Sequence, residues 1–133
     1  MKLLVYVEQY DVVGILPSQL ESIAHLVTAM GITEAAYIDN TADGFSGIGG
    51  FTRYASLAEF IEHEHGPFVA FSPDTGEDIR TLNPPAEAWL VFGPAMGWSD
   101  VKFDKWAKIP GGVLNSRDAV PIAVWETSKW RAQ

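Results

Sequence analysis

Five consecutive apolar residues, Ala88-Trp89-Leu90-Val91-Phe92, stopped by Gly93-Pro94, constrain this chain more than any other stretch. A strand with one face in water alternates apolar and polar residues, whereas an unbroken apolar run needs cover on both faces. Glycine followed by proline then ends the run sharply. Three further runs repeat the pattern: Lys2-Leu3-Leu4-Val5-Tyr6-Val7, Ala35-Ala36-Tyr37-Ile38 and Phe68-Val69-Ala70-Phe71. Trp106-Ala107-Lys108-Ile109 is a fifth, shorter candidate. Helical segments separate several of these runs, and such alternation predicts an α/β fold with a mainly parallel sheet carrying helices on both faces.

The first helix is predicted from Ser18-Gln19-Leu20-Glu21, which has the form of a capping box. Leu20, Ile23, Ala24, Val27 and Met30 recur at helical spacing, and Gly31 stands where a left-handed residue ends a helix. On that wheel His25 points away from the core. Residues 41–50 hold four glycines and no periodicity, and read as a loop at the carboxyl end of the second strand. Ser56 is placed to cap a second helix over residues 57–63. Residues 119–125 are apolar around almost the whole circumference, so the last helix is expected to be covered on more than one side. Pro121 inside it forfeits a backbone hydrogen bond, and is expected to bend or restart it.

Composition narrows the function. With 133 residues, 47% of them hydrophobic, and five Trp, four Tyr and seven Phe, the chain reads as one domain over residues 1–133 with its own core. The absence of cysteine excludes a disulfide framework, a thiolate nucleophile and a cysteine-bound zinc. No run approaches the roughly 20 apolar residues of a membrane span and no signal-type segment is evident, so the expected location is the cytoplasm. Seventeen acidic against nine basic residues, a net charge of −8, provide no general attraction to phosphate backbones. The basic residues do gather late in the chain, at Lys102, Lys105, Lys108, Arg117, Lys129 and Arg131.

Two loops are candidates for a site. Gly93 and Gly97 follow the apolar run, and Gly111 and Gly112 lie in the segment Lys108-Ile109-Pro110-Gly111-Gly112-Val113-Leu114-Asn115. Glycine lets a ligand approach the backbone closely; ordinary turn chemistry is the alternative. Glu62-His63-Glu64-His65 invites a metal reading, yet residues two apart lie on nearly opposite sides of a helix, so a solvated helix end is the simpler account. No glycine loop bearing a lysine precedes a helix, which excludes a P-loop.

Taken together, three stretches resemble the SPOUT superfamily of knotted methyltransferases, and within it the branch that methylates ribose hydroxyls of transfer and ribosomal RNA. Ile109-Pro110, then Leu114-Asn115 and Ala119 with the helix to Glu126, look like that family's cofactor loop and knot helix. Val91-Phe92-Gly93-Pro94-Ala95-Met96-Gly97 resembles its glycine loop, and residues 19–31 have the pattern of its first motif. The departures concern the chemistry. The family's asparagine falls on Gln19, its arginine on His25, its glutamate near Ala95, and the serine before Leu-Asn is Val113.

The resemblance implies a C-terminal trefoil knot. The helix over residues 119–125 is apolar on too many sides for one sheet to satisfy, which predicts a homodimer with Trp125 and Trp130 as candidate interface anchors; a helix wholly internal to the monomer is the alternative. The resemblance also implies S-adenosylmethionine bound by Phe92, Gly93, Gly97, Ile109, Pro110, Leu114, Asn115 and Ala119, largely through backbone groups. His25 then replaces the arginine as the candidate catalytic residue, reaching the site from the other subunit; an imidazole accepts a proton near neutral pH. The expected function is methyl transfer to an RNA ribose hydroxyl. A non-catalytic binding module that keeps the knot and the pocket is the alternative, favoured by the acidic balance, His25 and Ala95.

Overall fold

Strand β1 (Lys2–Val7) sends alternate side chains to opposite faces of the sheet and buries both sets. Leu3, Val5 and Val7 enter one core, and Leu4 and Tyr6 the other. The computed structural model describes residues 1–8, 15–41, 49–73, 75–94, 98, 103, 105–110 and 116–131, with side chains in the last helix through Ser128. The remaining elements are α1 (Pro17–Ala29), β2 (Glu34–Asp39), β3 (Phe51–Tyr54), α2 (Leu57–His63), β4 (Phe68–Phe71), β5 (Glu77–Asp78), β6 (Trp89–Phe92), β7 (Lys105–Lys108) and α3 (Ser116–Arg131). Among the described residues the strands form a seven-stranded sheet in the order β3-β2-β1-β6-β4-β7-β5. Every strand pair in it is parallel.

Both faces are covered, as the apolar runs require. Leu20, Ile23 and Val27 of α1 and Val120, Ala123 and Val124 of α3 pack on one face with Leu90 and Phe92. On the other, Phe60 of α2 packs with Trp89 and Val91, and Trp98, Phe103 and Trp106 extend the cover. All four residues of β6 are buried, so its interior position follows from its composition.

Several local expectations are corrected. Helix α1 begins at Pro17, and Ser18 is not its cap. Proline suits the first helical position because its missing N–H has no partner there anyway. The Gln19 side chain instead accepts from the Leu16 N–H at 2.9 Å. The helix does end as predicted, at Gly31 with φ 73°. There the Ile32 N–H reaches the Val27 carbonyl at 3.1 Å and the Gly31 N–H the Thr28 carbonyl at 3.4 Å, a Schellman pattern. Ser56 caps α2, its Oγ accepting from the Glu59 N–H at 3.1 Å. Immediately after the glycine-rich stretch, residues 51–54 form β3, which pairs with β2.

Helix α3 starts at Ser116 and runs through Pro121 without restarting. Nor is it covered on all sides within the chain, since Ile122 and Trp125 are 43% and 61% exposed. Thr127, buried and polar, is satisfied by bonds from its hydroxyl to the Ala123 and Val124 carbonyls at 2.8 and 3.2 Å.

One feature of the strand order was hidden from the sequence. β7 lies between β4 and β5, although β4 and β5 are consecutive in the chain. The connection between them crosses β7 at Gly76, where φ is 107° and an added Cβ would stand 2.4 Å from the Trp106 carbonyl carbon. Only glycine fits that crossing. β7 is held from both sides there, by Ser72 N–H to the Ala107 carbonyl and Ile79 N–H to the Lys108 carbonyl, each 2.9 Å.

Candidate functional site

In parallel α/β sheets ligands bind at the carboxyl ends of the strands, where connections from adjacent strands leave in opposite directions. β1 and β6 are adjacent here; β1 leads through α1 to β2 on one side, and β6 leads to β7 on the other. Gly93 and Pro94 follow β6 at that point, both half-buried. Phe92 is held in place by stacking on Phe71, with ring centroids 4.5 Å apart and planes 7° from parallel. From the start of α3 the Ser116 hydroxyl donates to the Gly93 carbonyl at 3.3 Å. The end of β6 and the first turn of α3 are thereby joined.

Ile109, just past β7, and Ala119 of α3 are half-buried and pack against the same core cluster as Phe92. Pro110 is exposed. The structure therefore brings Phe92, Gly93, Ile109 and Ala119 toward one end of the sheet, while Gly97, Leu114 and Asn115 lie outside the described residues. Ala95 and Val113 do so as well. His25 is exposed on α1, and α1 starts at the carboxyl edge, where Ile15 bridges Val7. Eight residues on from Pro17, His25 lies about 12 Å along the axis toward the opposite edge, where the Thr33 N–H meets the Met1 carbonyl. It is thereby displaced from Gly93, which follows the carboxyl end of β6.

Trp98 was not singled out from the sequence. Its indole occupies the space beside Gly93, where an added Cβ would lie 2.5 Å from Cε2. Its Nε1 donates to the Phe71 carbonyl at 2.9 Å. The bare side of Gly93 is thus filled by this ring rather than left open to a ligand. The available hint was an indole five positions after a strand-ending glycine; nothing local says where such a ring goes.

Asp39, at the end of β2, is the second missed residue. Its side chain is 1% exposed and carries an ion pair with Arg53 of β3 at 3.3 Å. The Thr41 N–H donates to it at 2.9 Å, and the Thr41 hydroxyl donates as well. Burial works to raise this carboxyl, but the bonds from Thr41 and the Arg53 guanidinium outweigh it and hold the group below its ordinary value. Beside it, the Asn40 N–H donates to the Val7 carbonyl at 2.8 Å and the Asn40 amide to Glu8 at 3.4 Å. This network fixes the carboxyl edge of β1, β2 and β3.

The basic residues late in the chain are partly neutralised. Lys105 pairs with Glu77 at 2.7 Å, and Arg80 with Asp78 at 2.6 Å. Lys108 adds to the field holding Asp78 low. Arg117, half-buried in the first turn of α3, has no ion pair among the described residues and stands next to Ser116. Lys102 and the side chains of Lys129, Trp130 and Arg131 lie outside the described residues. In the His63 region, the Tyr54 hydroxyl donates to Glu64 at 2.7 Å. No group of three His, Asp or Glu able to hold a metal occurs among the described residues. No described helix is long and apolar enough to cross a membrane.

No protein-family model matches the sequence, and no curated protein matches it. Solved structures do match. One, from work on 2-OH methylation of C/U34 on tRNA, superposes with a TM-score of 0.76 at 19% identity, covering 99% of this chain and 92% of that one. The SpoU methyltransferase AviRb from Streptomyces viridochromogenes, in complex with AdoMet, gives 0.78 at 14% identity, covering 99% of this chain and 60% of that one. An rRNA methyltransferase from Sinorhizobium meliloti gives 0.71 at 21% identity, covering 97% and 56%. The chain thus spans little more than half of the latter two proteins. At such identities it is the arrangement of the backbone that is shared, and this chain has the α/β fold of the SpoU-type RNA methyltransferases.

Proposed function

We propose that the chain is an S-adenosylmethionine-dependent methyltransferase acting on an RNA ribose hydroxyl. The observation that carries this reading is the placement of three segments toward the carboxyl end of the parallel sheet, two of them joined by the bond from Ser116 to Gly93. They are Phe92-Gly93 after β6, Ile109 after β7, and Ser116 to Ala119 at the start of α3. Neighbours with the same fold include a SpoU methyltransferase in complex with AdoMet and a protein solved in work on the 2-OH methylation of C/U34 on tRNA. The residues fit such a cofactor. Half-buried Ile109 and Ala119 offer apolar surface to an adenine, and Gly93 is tied to the first turn of the helix that carries Ala119 by the Ser116 hydroxyl. The cofactor supplies an activated methyl group when bound.

The chain's own contribution is mainly positioning. Phe71 fixes Phe92, and the Ser116 hydroxyl fixes the Gly93 carbonyl. Arg117, beside Ser116, is the cation we assign to an RNA phosphate. His25 is assigned to accept the ribose proton across a homodimer interface, because it is exposed on α1 and displaced from Gly93 toward the opposite edge of the sheet. The exposed pair Ile122 and Trp125 on α3 supports such a dimer, as large apolar side chains at one helical stripe favour burial against a second copy. The placement of β7 between β4 and β5 supports the trefoil knot, and the site of action is the cytoplasm. Gly97, Pro110, Leu114 and Asn115 complete the cofactor site in this reading.

Calorimetric titration with S-adenosylmethionine and S-adenosylhomocysteine tests the binding, and transfer of a labelled methyl group to RNA tests the activity. Saturable binding with transfer that is lost in His25→Ala is expected. No heat at millimolar ligand defeats the reading. Binding without transfer to any RNA favours the non-catalytic module, which the internally paired Lys105, Arg80 and Arg53 already support by leaving few cations for phosphate. Sedimentation showing only monomer at high concentration removes both the dimer and the role of His25.

A further inference from the structure

We propose that Trp98 is a positioning residue for the Gly93 backbone at the candidate cofactor site, an inference that rests on the reading above. Gly93 is gripped from two sides. From α3, Ser116 donates to its carbonyl at 3.3 Å. From the other face of the sheet the indole of Trp98 lies so close that a Cβ at position 93 would stand 2.5, 2.8 and 2.9 Å from Cε2, Cζ2 and Cδ2.

The ring is itself fixed. Its Nε1 donates to the Phe71 carbonyl at 2.9 Å, at the end of the neighbouring strand β4. Tyr6, Phe103 and Trp106 pack around it edge-on, with centroids 6.0, 5.1 and 5.9 Å away. Phe71 also stacks on Phe92, the residue before Gly93. A closed circuit results: Phe92 to Phe71 through the rings, Phe71 to Trp98 through the hydrogen bond, and Trp98 back to Gly93 by contact. Such a circuit holds the Gly93 backbone in one position before any ligand arrives. Binding at a backbone already ordered avoids the entropy of ordering it. Gly93 is therefore glycine to admit Trp98, and the ligand benefits indirectly.

The test compares wild type with Trp98→Ala, Trp98→Phe, Gly93→Ala and the double variant Gly93→Ala/Trp98→Ala. Each is assayed by calorimetric titration with S-adenosylmethionine, by thermal unfolding, and by hydrogen exchange at the Gly93 amide. The expected result is a Kd at least about tenfold weaker for Trp98→Ala, measured at a temperature where the variant is folded, with exchange at Gly93 faster by a similar factor. Trp98→Phe keeps a ring over Gly93 while losing the bond to Phe71, and should fall between the two. Gly93→Ala should weaken binding when Trp98 is present and add little when it is absent, because the clash it creates is with that ring. A purely structural Trp98 would lower the unfolding temperature and leave Kd and Gly93 exchange unchanged. That outcome, or additive losses in the double variant, overturns the inference. If wild type binds no S-adenosylmethionine, the functional reading itself falls and the cofactor role falls with it; the exchange data, which need no ligand, show separately whether Trp98 holds Gly93.

Discussion

Gly76→Ala tests the tightness of the crossing over β7. Gly76 has φ 107°, where a side chain is strained by about 1–3 kcal/mol. The new Cβ would also stand 2.4, 2.5 and 2.6 Å from the carbonyl carbon and oxygen of Trp106 and the nitrogen of Ala107. These are backbone atoms in a strand bonded on both sides, so they cannot swing away as a side chain could. Moving them by about 1 Å adds an overpacking cost of about 1–3 kcal/mol. The sum is about 2–6 kcal/mol, and at roughly 4 °C per kcal/mol the unfolding temperature should fall by about 8–24 °C. Gly31→Ala is the control, since φ there is 73° but no atom lies within 4 Å of the added Cβ. It should lose only the conformational part. Urea unfolding followed by circular dichroism measures both, with the midpoint falling and the slope unchanged. If Gly76→Ala costs no more than Gly31→Ala, the close crossing of the two backbone segments is refuted.

Phe60, the buried residue through which α2 docks, meets Tyr54, Phe68 and Trp89 with centroids 5.4, 5.6 and 4.9 Å away. Phe60→Ala should cost about 3–5 kcal/mol in urea unfolding and raise hydrogen exchange in α2 first; protected α2 amides would contradict this. Asp39 has a folded pKa below its ordinary value, so its stabilisation is present above about pH 4 and is lost as pH falls through the lower folded value. Asp39→Asn should therefore destabilise at neutral pH, with a gap to wild type that narrows in acid; a gap independent of pH would refute the pairing with Thr41 and Arg53. Burial, reinforced by Glu8 at Tyr6 and by Glu64 at Tyr54, pushes both phenols up to about 12. Unfolded tyrosines ionise near pH 10, so stability should fall as pH rises from about 10 toward 12, and phenolate absorbance at pH 11 should be smaller in the folded than in the unfolded chain.

The sequence by itself determined the sheet's interior and the type of fold. A run such as Ala88 to Phe92 has no polar side chain to offer water on either face, so two-sided cover was unavoidable. The stops at Gly31 and Gly93-Pro94 and the cap at Ser56 were legible because a positive φ, a missing N–H or a capping hydroxyl acts within a few residues. Expectations failed where two local rules competed. Ser18 could have capped α1, but Pro17 suits the first helical position and Gln19 closes back on Leu16. β3 was not distinguished from the loop before it because four residues with two exposed side chains carry too little pattern. Tertiary structure alone decided that β7 enters between β4 and β5, which side of Gly93 is filled by Trp98, and that Asp39 is buried against Arg53. Each depends on segments distant along the chain meeting in space, and no local preference encodes such a meeting. The same holds for the candidate site. Its residues were readable singly as loop glycines and apolar neighbours, but the bond from Ser116 to Gly93 that joins two of its segments exists only once the sheet has brought positions 93 and 116 together.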